Sequence, residues 1–215
     1  MSSSPDHPSI KEEFHGQIIL ILGPMMSEKT SMMIRTVNRH RYAKRSALVI
    51  KPMKDTRYSI TEVQSHINPD GFRLSIGAIS TDDVYNIEET RADGTVISHN
   101  PLNYDVIAID EGNFFKYNML QFAEDMANNG KIVIITALNG DINQKHLGHI
   151  HDLYPLADHI EHLKGVCHDC GKDAPFTWSD ITRKEGEIVV GGADIYRSLC
   201  RLCRNVRRAL TIANE

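Results

Sequence analysis

The fold is decided by the stretch QIILILGPMMSEKT at residues 17–30. Its opening residues form a continuous aliphatic run, which is typical of a strand that is buried on both faces. Gly23-Pro24 indicates a turn after this strand, and the apolar spacing over residues 27–42 predicts a helix. A second aliphatic run follows at residues 47–50, so the order strand, helix, strand predicts a βαβ unit.

The same alternation continues toward the C-terminus. An aliphatic run at residues 105–109 ends in Asp110-Glu111-Gly112, a helical pattern covers 117–129, and another aliphatic run lies within 131–138. Buried strands separated by helices are typical of a parallel sheet that is covered on both faces. We therefore expect an α/β fold of the phosphate-loop NTPase type, with a parallel sheet between two layers of helices.

The composition is that of an ordinary globular protein. The chain has 215 residues, of which 41% are hydrophobic and 24% charged, and this excludes a collagen-like or wholly disordered chain. Its net charge of −4 lacks the basic excess of a nucleic-acid surface. The longest aliphatic run, residues 18–22, is too short to cross a membrane, and residues 1–13 lack the apolar core of a signal peptide. We expect a cytoplasmic protein with neither nucleic-acid nor membrane partners.

All four cysteines lie near the C-terminus, in two C-x-x-C pairs: Cys167 with Cys170, and Cys200 with Cys203. Two such turns bring four thiolates to one centre, so the pattern predicts a structural zinc site with no open position for catalysis. The gap between the pairs is longer than in common zinc ribbons. A redox dithiol and four separate buried thiols are the alternative interpretations.

A change in composition after Lys164 predicts a small separate module. We expect a flexible tail at residues 1–15, the α/β domain at 16–163, the zinc-binding module at 164–208 and a second tail at 209–215. Within the module, the pattern predicts a strand over 187–190 and a helix over 194–208. Zinc would supply binding free energy that a module with little apolar core lacks.

The segment from Gly23 to Thr30 matches the phosphate-loop pattern G-x-x-x-x-G-K-[ST] at every required position except Glu28. In such loops backbone N–H groups bind phosphates, a lysine reaches the outer phosphates and a hydroxyl binds Mg²⁺. Lys29 and Thr30 occupy the last two positions. If position 28 needs a positive φ, a side chain there costs on the order of 1 kcal/mol. An ordinary strand-to-helix turn is the alternative.

Asp110 and Glu111 follow a predicted buried strand, at the sheet edge where ligands bind in open α/β proteins. An acid at this place typically binds Mg²⁺ through water, which suits Asp110. The adjacent Glu111 suits the general base that accepts a proton from a substrate hydroxyl. Carboxylates that cap a helix before Phe114 are the alternative. Together with the phosphate loop, the pair favours phosphoryl transfer.

Several motifs in one order carry a family resemblance. They are Gly23-Pro24-Met25 with Ser27 and Lys29-Thr30, Lys54-Asp55-Thr56-Arg57-Tyr58-Ser59, Asp110-Glu111-Gly112 with Phe114-Phe115, Gln144-Lys145, Gly191-Gly192-Ala193-Asp194 with Tyr196, and the four cysteines. From about Gly16 to Cys203 the chain resembles the zinc-containing, phosphate-loop thymidine kinases, the family of the human cytosolic, poxviral and bacterial enzymes.

The resemblance implies ATP-dependent phosphorylation of the thymidine 5′-hydroxyl to dTMP, in nucleotide salvage for DNA synthesis. It implies Glu111 as catalytic base, Thr30 and Asp110 as residues on the Mg²⁺ side, and a homotetramer inhibited by dTTP. The residues it assigns to ATP are Gly23, Pro24, Met25, Met26, Ser27, Glu28, Lys29, Thr30, Arg57, Asp110 and Asn113. Those it assigns to thymidine are Met25, Phe114, Leu138, Val189, Val190, Gly191, Gly192 and Tyr196, of which Val189 to Tyr196 match a lasso segment whose backbone binds the base.

Some positions depart from the family pattern, and they cluster at the expected site. Glu28 replaces the loop glycine, Asn113 replaces a glutamine, and Ser65-His66-Ile67 stands where the family has Thr-His-Asp. Residues 138–143 also lack an aromatic side chain expected beside the base, and lost aromatic contacts weaken a base pocket. A catalytically impaired nucleoside- or nucleotide-binding paralogue and a phosphate-loop NTPase without a nucleoside substrate are therefore the alternative functions.

Overall fold

A computed structural model describes residues 15–55, 59, 61–66, 70–180, 191–192 and 194–213. The strands are β1 Gln17–Gly23, β2 Ala47–Lys51, β3 Glu62–Gln64, β4 Ser75–Gly77, β5 Ile79–Ser80, β6 Ile87–Thr90, β7 Val96–His99, β8 Val106–Ile109, β9 Ile132–Leu138, β10 His159–His162, β11 Gly165–Val166, β12 Asp173–Ala174, β13 Phe176–Ser179 and β14 Tyr196–Leu199. The helices are α1 Lys29–Tyr42, α2 Asn118–Asn128 and α3 Arg201–Ala213, with short 3-10 helices at Pro101–Asn103, Gly112–Phe114 and Ile150–Leu156.

The centre of the molecule is a six-stranded sheet in the order β10-β1-β9-β8-β2-β5. Every neighbouring pair in it is parallel, which confirms the α/β fold expected from the alternating strands and helices. The strands β1, β2, β8 and β9 and the helices α1 and α2 lie where the sequence patterns predict them, with ends that differ by up to two residues.

The two faces of the sheet are covered by different helices. On β1, Leu20 and Leu22 point to the face where α2 packs with Phe122, whereas Ile21 points to the opposite face, where α1 packs with Met33. This alternation follows from the two-residue period of a strand, and it buries β1 on both sides. The continuous aliphatic run of β1 is therefore explained by its central position.

The C-terminal region contains two small antiparallel ribbons, β11-β12 and β13-β14, followed by α3. The helix predicted over residues 194–208 is wrong in its first part, because residues 196–199 form β14 and pair with β13. The inward side chains of β14, Tyr196 and Ser198, are buried, so pairing in the ribbon overrides the helical pattern. The strand predicted over 187–190 lies outside the described residues.

The helices in the described ranges include none with both the length and the apolar character needed to cross a bilayer.

Candidate active site

The predicted phosphate loop lies at the carboxyl edge of the central sheet, between β1 and α1. Gly23 ends β1 in a crowded position: a Cβ there would overlap the Ser27 side chain and approach the Leu163 carbonyl oxygen to 2.8 Å. The loop can turn this tightly only because the residue has no side chain. The chain then enters α1 at Lys29, so the positive end of the helix dipole faces the loop.

The loop backbone contains two non-glycine residues in the left-handed region. Met26 has φ 58° and Glu28 has φ 64° with ψ 22°. A glycine would adopt this conformation freely, whereas a residue with a Cβ pays on the order of 1 kcal/mol. Position 28 therefore has the positive φ that the phosphate-loop glycine normally provides, and Glu28 adopts it with its side chain exposed to solvent.

Lys29 lies inside the loop. Its ammonium donates a hydrogen bond to the Pro24 carbonyl oxygen over 2.7 Å, and the Ser27 hydroxyl donates to the same oxygen over 2.9 Å. Both side chains are buried, so the positive charge of Lys29 lies within the loop and is largely shielded from solvent. A buried ammonium next to backbone N–H groups is an arrangement that attracts phosphate oxygens.

A chain of hydroxyl and carboxylate groups connects three elements beneath the loop. The Thr30 hydroxyl donates to the Asp110 carboxylate over 3.3 Å. Thr136, on the strand between β1 and β8, donates its hydroxyl proton to Asp110 and accepts a hydrogen bond from the backbone N–H of Glu111 over 3.1 Å. Threonine hydroxyl and aspartate oxygens are ligands that Mg²⁺ prefers, so Thr30 and Asp110 form a pair that fits this cation.

Glu111 faces the loop in a strained backbone conformation. Its φ of 51° and ψ of 47° are left-handed, and it is buried at the end of β8. One small pocket is lined by the loop residues 25–31 together with Ser65, His66 and Glu111. Strained non-glycine residues occur preferentially at functional sites, where the surrounding structure holds them. The structure thus brings Glu111 and the loop to a shared pocket.

Asn113 follows Glu111 by two residues and is 3% exposed. Its Oδ1 accepts a hydrogen bond from the Leu138 backbone N–H over 3.2 Å, which ties the turn after β8 to the end of β9. Its buried Nδ2 finds no hydrogen-bond partner among the described residues. Phe114 and Leu138, both expected at the thymine ring, are half-buried at the ends of these two connected elements.

The C-terminal ribbon is docked directly on the phosphate loop. The Met25 backbone N–H donates to Thr177 Oγ1 over 3.0 Å, and the Ser198 hydroxyl donates to the Met25 carbonyl oxygen. Both hydroxyls are buried and lie on paired strands, β13 and β14. The position of the loop therefore depends on the ribbon as well as on the sheet.

The four cysteines form one cluster, with all four sulfur atoms within 4.8 Å of one another. A tetrahedral zinc ion with Zn–S bonds of about 2.3 Å separates its sulfurs by about 3.8 Å, so the cluster fits such an ion. Burial raises the pKa of Cys167, but backbone N–H groups of Cys200, Asp169 and Cys170 outweigh it and lower the value to about 6. Hydrogen bonds with Cys170 and Cys200 raise the pKa of Cys203 to about 12.

The segment expected to bind the base is described only at its C-terminal end. Gly191 and Gly192 are half-buried, and the Tyr196 backbone N–H donates to the Gly192 carbonyl oxygen over 2.9 Å, where β14 begins. Arg57, Val189 and Val190, which the resemblance assigns to ATP and thymidine, lie outside the described residues.

Three residues that shape the site were not found by sequence reasoning: Thr136, Thr177 and Ser198. Thr136 carries a visible signal, because it is the one hydroxyl residue in the aliphatic run of β9. Thr177 and Ser198 contact Met25 across 152 and 173 residues of chain, respectively, so local patterns carry no sign of their role.

The parallel sheet, the loop between β1 and α1, and the Thr30–Asp110 pair fit the class of α/β proteins with a fold of the phosphate-loop type. Comparisons with known proteins specify this class further. The thymidine kinase family model matches residues 16–204, and the chain belongs to this family.

Individual relatives agree with this assignment. The thymidine kinase of sheeppox virus (strain KS-1) is 39% identical over 189 residues, covering 88% of this chain and 97% of the viral protein. The cytosolic thymidine kinase of Gallus gallus is 37% identical over 209 residues, covering 97% and 86% of the two chains. That of Homo sapiens is 40% identical over 196 residues, covering 91% and 76%.

Proposed function

We propose that this protein transfers the γ-phosphoryl group of ATP to the 5′-hydroxyl of thymidine and so makes dTMP for DNA synthesis. The observation that carries the proposal is the pocket that Glu111 lines together with the loop residues 25–31, one of which, Thr30, is hydrogen-bonded to Asp110. These are the groups that in-line phosphoryl transfer needs: a phosphate cradle, a cation site and a proton acceptor. Family membership gives the pocket its substrates.

The loop would bind the phosphates of ATP. Backbone N–H groups at the start of α1 and the buried Lys29 ammonium provide fixed positive charge before the reaction starts. Fixed donors of this kind stabilise the charge that develops on the transferred group without reorganisation. Thr30 and Asp110 would hold Mg²⁺, and this cation would neutralise charge between the outer phosphates. In the proposal, Arg57 adds a further positive charge near the transferred group.

Glu111 would act as the general base. The 5′-hydroxyl oxygen forms a bond to the γ-phosphorus while the bond from that phosphorus to the β–γ bridging oxygen breaks, ADP leaves, and the Glu111 carboxylate accepts the hydroxyl proton. The Glu111 backbone N–H donates a hydrogen bond to the Thr136 hydroxyl over 3.1 Å, which anchors the backbone of the proposed base to β9. The residues proposed around thymidine are Met25, Phe114, Leu138, Val189, Val190, Gly191, Gly192 and Tyr196.

Further parts of the proposal concern assembly and organisation. We propose zinc at the four-cysteine cluster, a zinc-binding module over 164–208 beside an α/β domain over 16–163, and a homotetramer in the cytosol. The sulfur geometry supports the metal, and the names of the chicken and human relatives support the location. Light scattering on the purified zinc-loaded protein tests the tetramer by its mass.

A turnover assay with MgATP and thymidine tests the function. The wild-type protein is expected to form dTMP, and Glu111→Gln is expected to lower kcat by roughly 10²–10⁴, because an amide cannot accept the proton. Glu88→Gln, on the exposed side of β6, is the matched control and should leave kcat unchanged. ATP hydrolysis that thymidine does not redirect, or dTMP formation at full rate by Glu111→Gln, would refute the proposal.

A further inference from the structure

Two hydroxyl side chains of the ribbon β13-β14 form a pair that faces the phosphate loop. Thr177 and Ser198 are directly opposite each other in the antiparallel register of the two strands. The side chains of such a pair lie on one face of a ribbon, so both hydroxyls point to the same place. Both residues are buried, with exposed fractions of 3% and 2%, and both hydroxyls contact the backbone of Met25. The ribbon therefore meets one residue of the loop with two buried polar groups.

The Thr177 hydroxyl acts on the peptide unit between Pro24 and Met25. Its oxygen accepts a hydrogen bond from the Met25 N–H over 3.0 Å. No peptide bond among the described residues is cis, so the carbonyl and the N–H of this unit point in opposite directions. Because the N–H is held toward the ribbon, the Pro24 carbonyl points into the loop, where Lys29 Nζ donates to it over 2.7 Å. The position of the Lys29 ammonium thus depends on the direction that Thr177 gives to this peptide unit.

The Ser198 hydroxyl acts on the next peptide unit, between Met25 and Met26. It donates a hydrogen bond to the Met25 carbonyl oxygen, so the N–H of Met26 points the opposite way, away from the ribbon. Within the described part of the chain, no group accepts a hydrogen bond from this N–H. Met26 also lines the pocket that contains Lys29 and Glu111. The Met26 N–H is therefore available to a phosphate oxygen that enters the pocket.

Ser198 is itself held against the loop by close packing. A Cβ at Gly165 would come within 2.5 Å of the Ser198 Oγ and within 3.4 Å of the Met26 carbonyl oxygen. The start of β11 thus packs on this hydroxyl, and any side chain at position 165 would displace it. The Ser198 carbonyl oxygen accepts a hydrogen bond from the His168 backbone N–H over 2.9 Å, which joins β14 to the first cysteine turn. These contacts leave the hydroxyl little freedom to turn away from Met25.

We propose that Thr177 and Ser198 are positioning residues for ATP, which orient two successive peptide units so that one holds Lys29 and the other offers an N–H to phosphate. The inference rests on the proposed function, because that function gives the loop its ligand. Donors that are fixed in advance need little reorganisation when an anion binds. Without the Thr177 hydroxyl, the Met25 N–H would be buried and unpaired, and its peptide unit would turn to find another acceptor.

Calorimetric titration of the zinc-loaded protein with MgADP tests the proposal without turnover. Thr177→Val keeps the shape of the side chain but removes the acceptor, so it is expected to weaken MgADP binding about tenfold. Thr177→Ser keeps the hydroxyl and should recover most of the affinity. Ser198→Ala should weaken binding in the same direction, because it releases the second peptide unit.

Steady-state kinetics separate positioning from a general loss of stability. Thr177→Val should raise the KM for ATP about tenfold and the KM for thymidine less than about threefold, because both peptide units serve the phosphates. Thr36→Val is the matched control. The Thr36 hydroxyl is half-buried and donates to the Met32 carbonyl oxygen over 2.8 Å within α1, so its loss should leave both constants unchanged.

The possible outcomes distinguish this inference from the proposed function. A wild-type protein that binds MgADP but forms no dTMP would refute the proposed function, and the MgADP affinities of the variants would still decide the role of the two hydroxyls. Equal MgADP affinity in wild type and Thr177→Val, a lower Tm with an unchanged KM for ATP, or an equal loss in Thr36→Val would overturn that role. A wild-type protein that takes up no MgADP at millimolar concentration would overturn both.

Discussion

The parallel sheet and the proposed zinc-binding module of residues 164–208 are held together by different means. The sheet has a large apolar core on both faces, with side chains such as Ile107, Phe122 and Ile135 fully buried. Among the described residues, those of the module bury only a small apolar cluster around Cys167, Ala174 and Leu199. Apolar burial can therefore account for the stability of the sheet, whereas the module needs another source of free energy, which a metal bound by its four thiols would provide.

The proposed active site lies where these two regions meet. The sheet supplies the loop, Asp110 and Glu111, and the module supplies the hydroxyls of Thr177 and Ser198 that hold the Met25 backbone. A loop clamped from both sides has fewer accessible conformations than one anchored on the sheet alone. The regions should thus respond differently to perturbation, while activity should depend on both.

Removal of zinc should have the largest effect and should act on the module first. Structural zinc contributes about 10–16 kcal/mol of apparent binding free energy in small zinc-dependent domains. A strong chelator, or Cys203→Ser, should therefore disorder the module and abolish dTMP formation. Trp178, the only tryptophan of the chain, lies on β13, so its fluorescence reports on the module alone.

Far-UV circular dichroism serves as the control for this experiment, because the sheet, α1 and α2 should keep their signal, while α3 is the one α-helix of the described ranges that belongs to the module. The helical signal should fall by no more than about a third when the metal is lost, which is the share of the described α-helical residues that lie in α3, and zinc added back should restore both fluorescence and activity. If metal analysis shows zinc loss while the Trp178 emission is unchanged, the module does not depend on the metal.

Phe122→Ala should destabilise the other region. The ring is fully buried between α2 and the sheet and contacts Tyr85 edge-on with centroids 5.2 Å apart. Deleting a buried phenylalanine side chain costs about 3–5 kcal/mol. Urea unfolding should show this loss in the far-UV signal and the Trp178 signal together, because the module docks on the sheet. Tyr42→Ala, at a 90% exposed position, is the control, and an equal loss there would contradict the expectation.

Thr136→Val should have a smaller effect on stability and a specific effect on catalysis. The substitution leaves the Glu111 N–H without its buried acceptor and removes a donor to Asp110, at a cost of about 1–3 kcal/mol. We expect kcat for thymidine to fall roughly tenfold, or about 1.4 kcal/mol on the barrier. Thr136→Ser keeps the hydroxyl and should restore kcat; a serine variant as slow as the valine variant would show that the methyl group matters instead.

The sheet could be predicted from the sequence because its strands are buried on both faces and read as aliphatic runs. The phosphate loop could be located because its pattern is local. The strand β14 could not be predicted, because residues 196–199 have a helical pattern and form a strand only by pairing with β13. The contacts of Met25 with Thr177 and Ser198, and those of Asp180 with Arg207, join residues whose spacing carries no local signal.

Glu28→Gly should have the smallest effect of these substitutions. It measures how much stability and ATP affinity the loop loses because position 28 is not a glycine. Relief of the left-handed conformation at φ 64° should stabilise the protein by about 1 kcal/mol, a rise in Tm of about 2–4 °C. Removing a carboxylate near the phosphates should also lower the KM for ATP, by about threefold.

Glu28→Gln separates these two effects, because it removes the charge and keeps the Cβ. It should lower the KM for ATP while leaving the Tm unchanged, since the backbone strain at position 28 persists. A Tm that rises equally in both variants would show that charge, not conformation, is the cost of Glu28. If thymidine turnover appears only in Glu28→Gly, the natural protein is the impaired paralogue; turnover in all three proteins means that the solvent-exposed Glu28 is tolerated within a working phosphate loop.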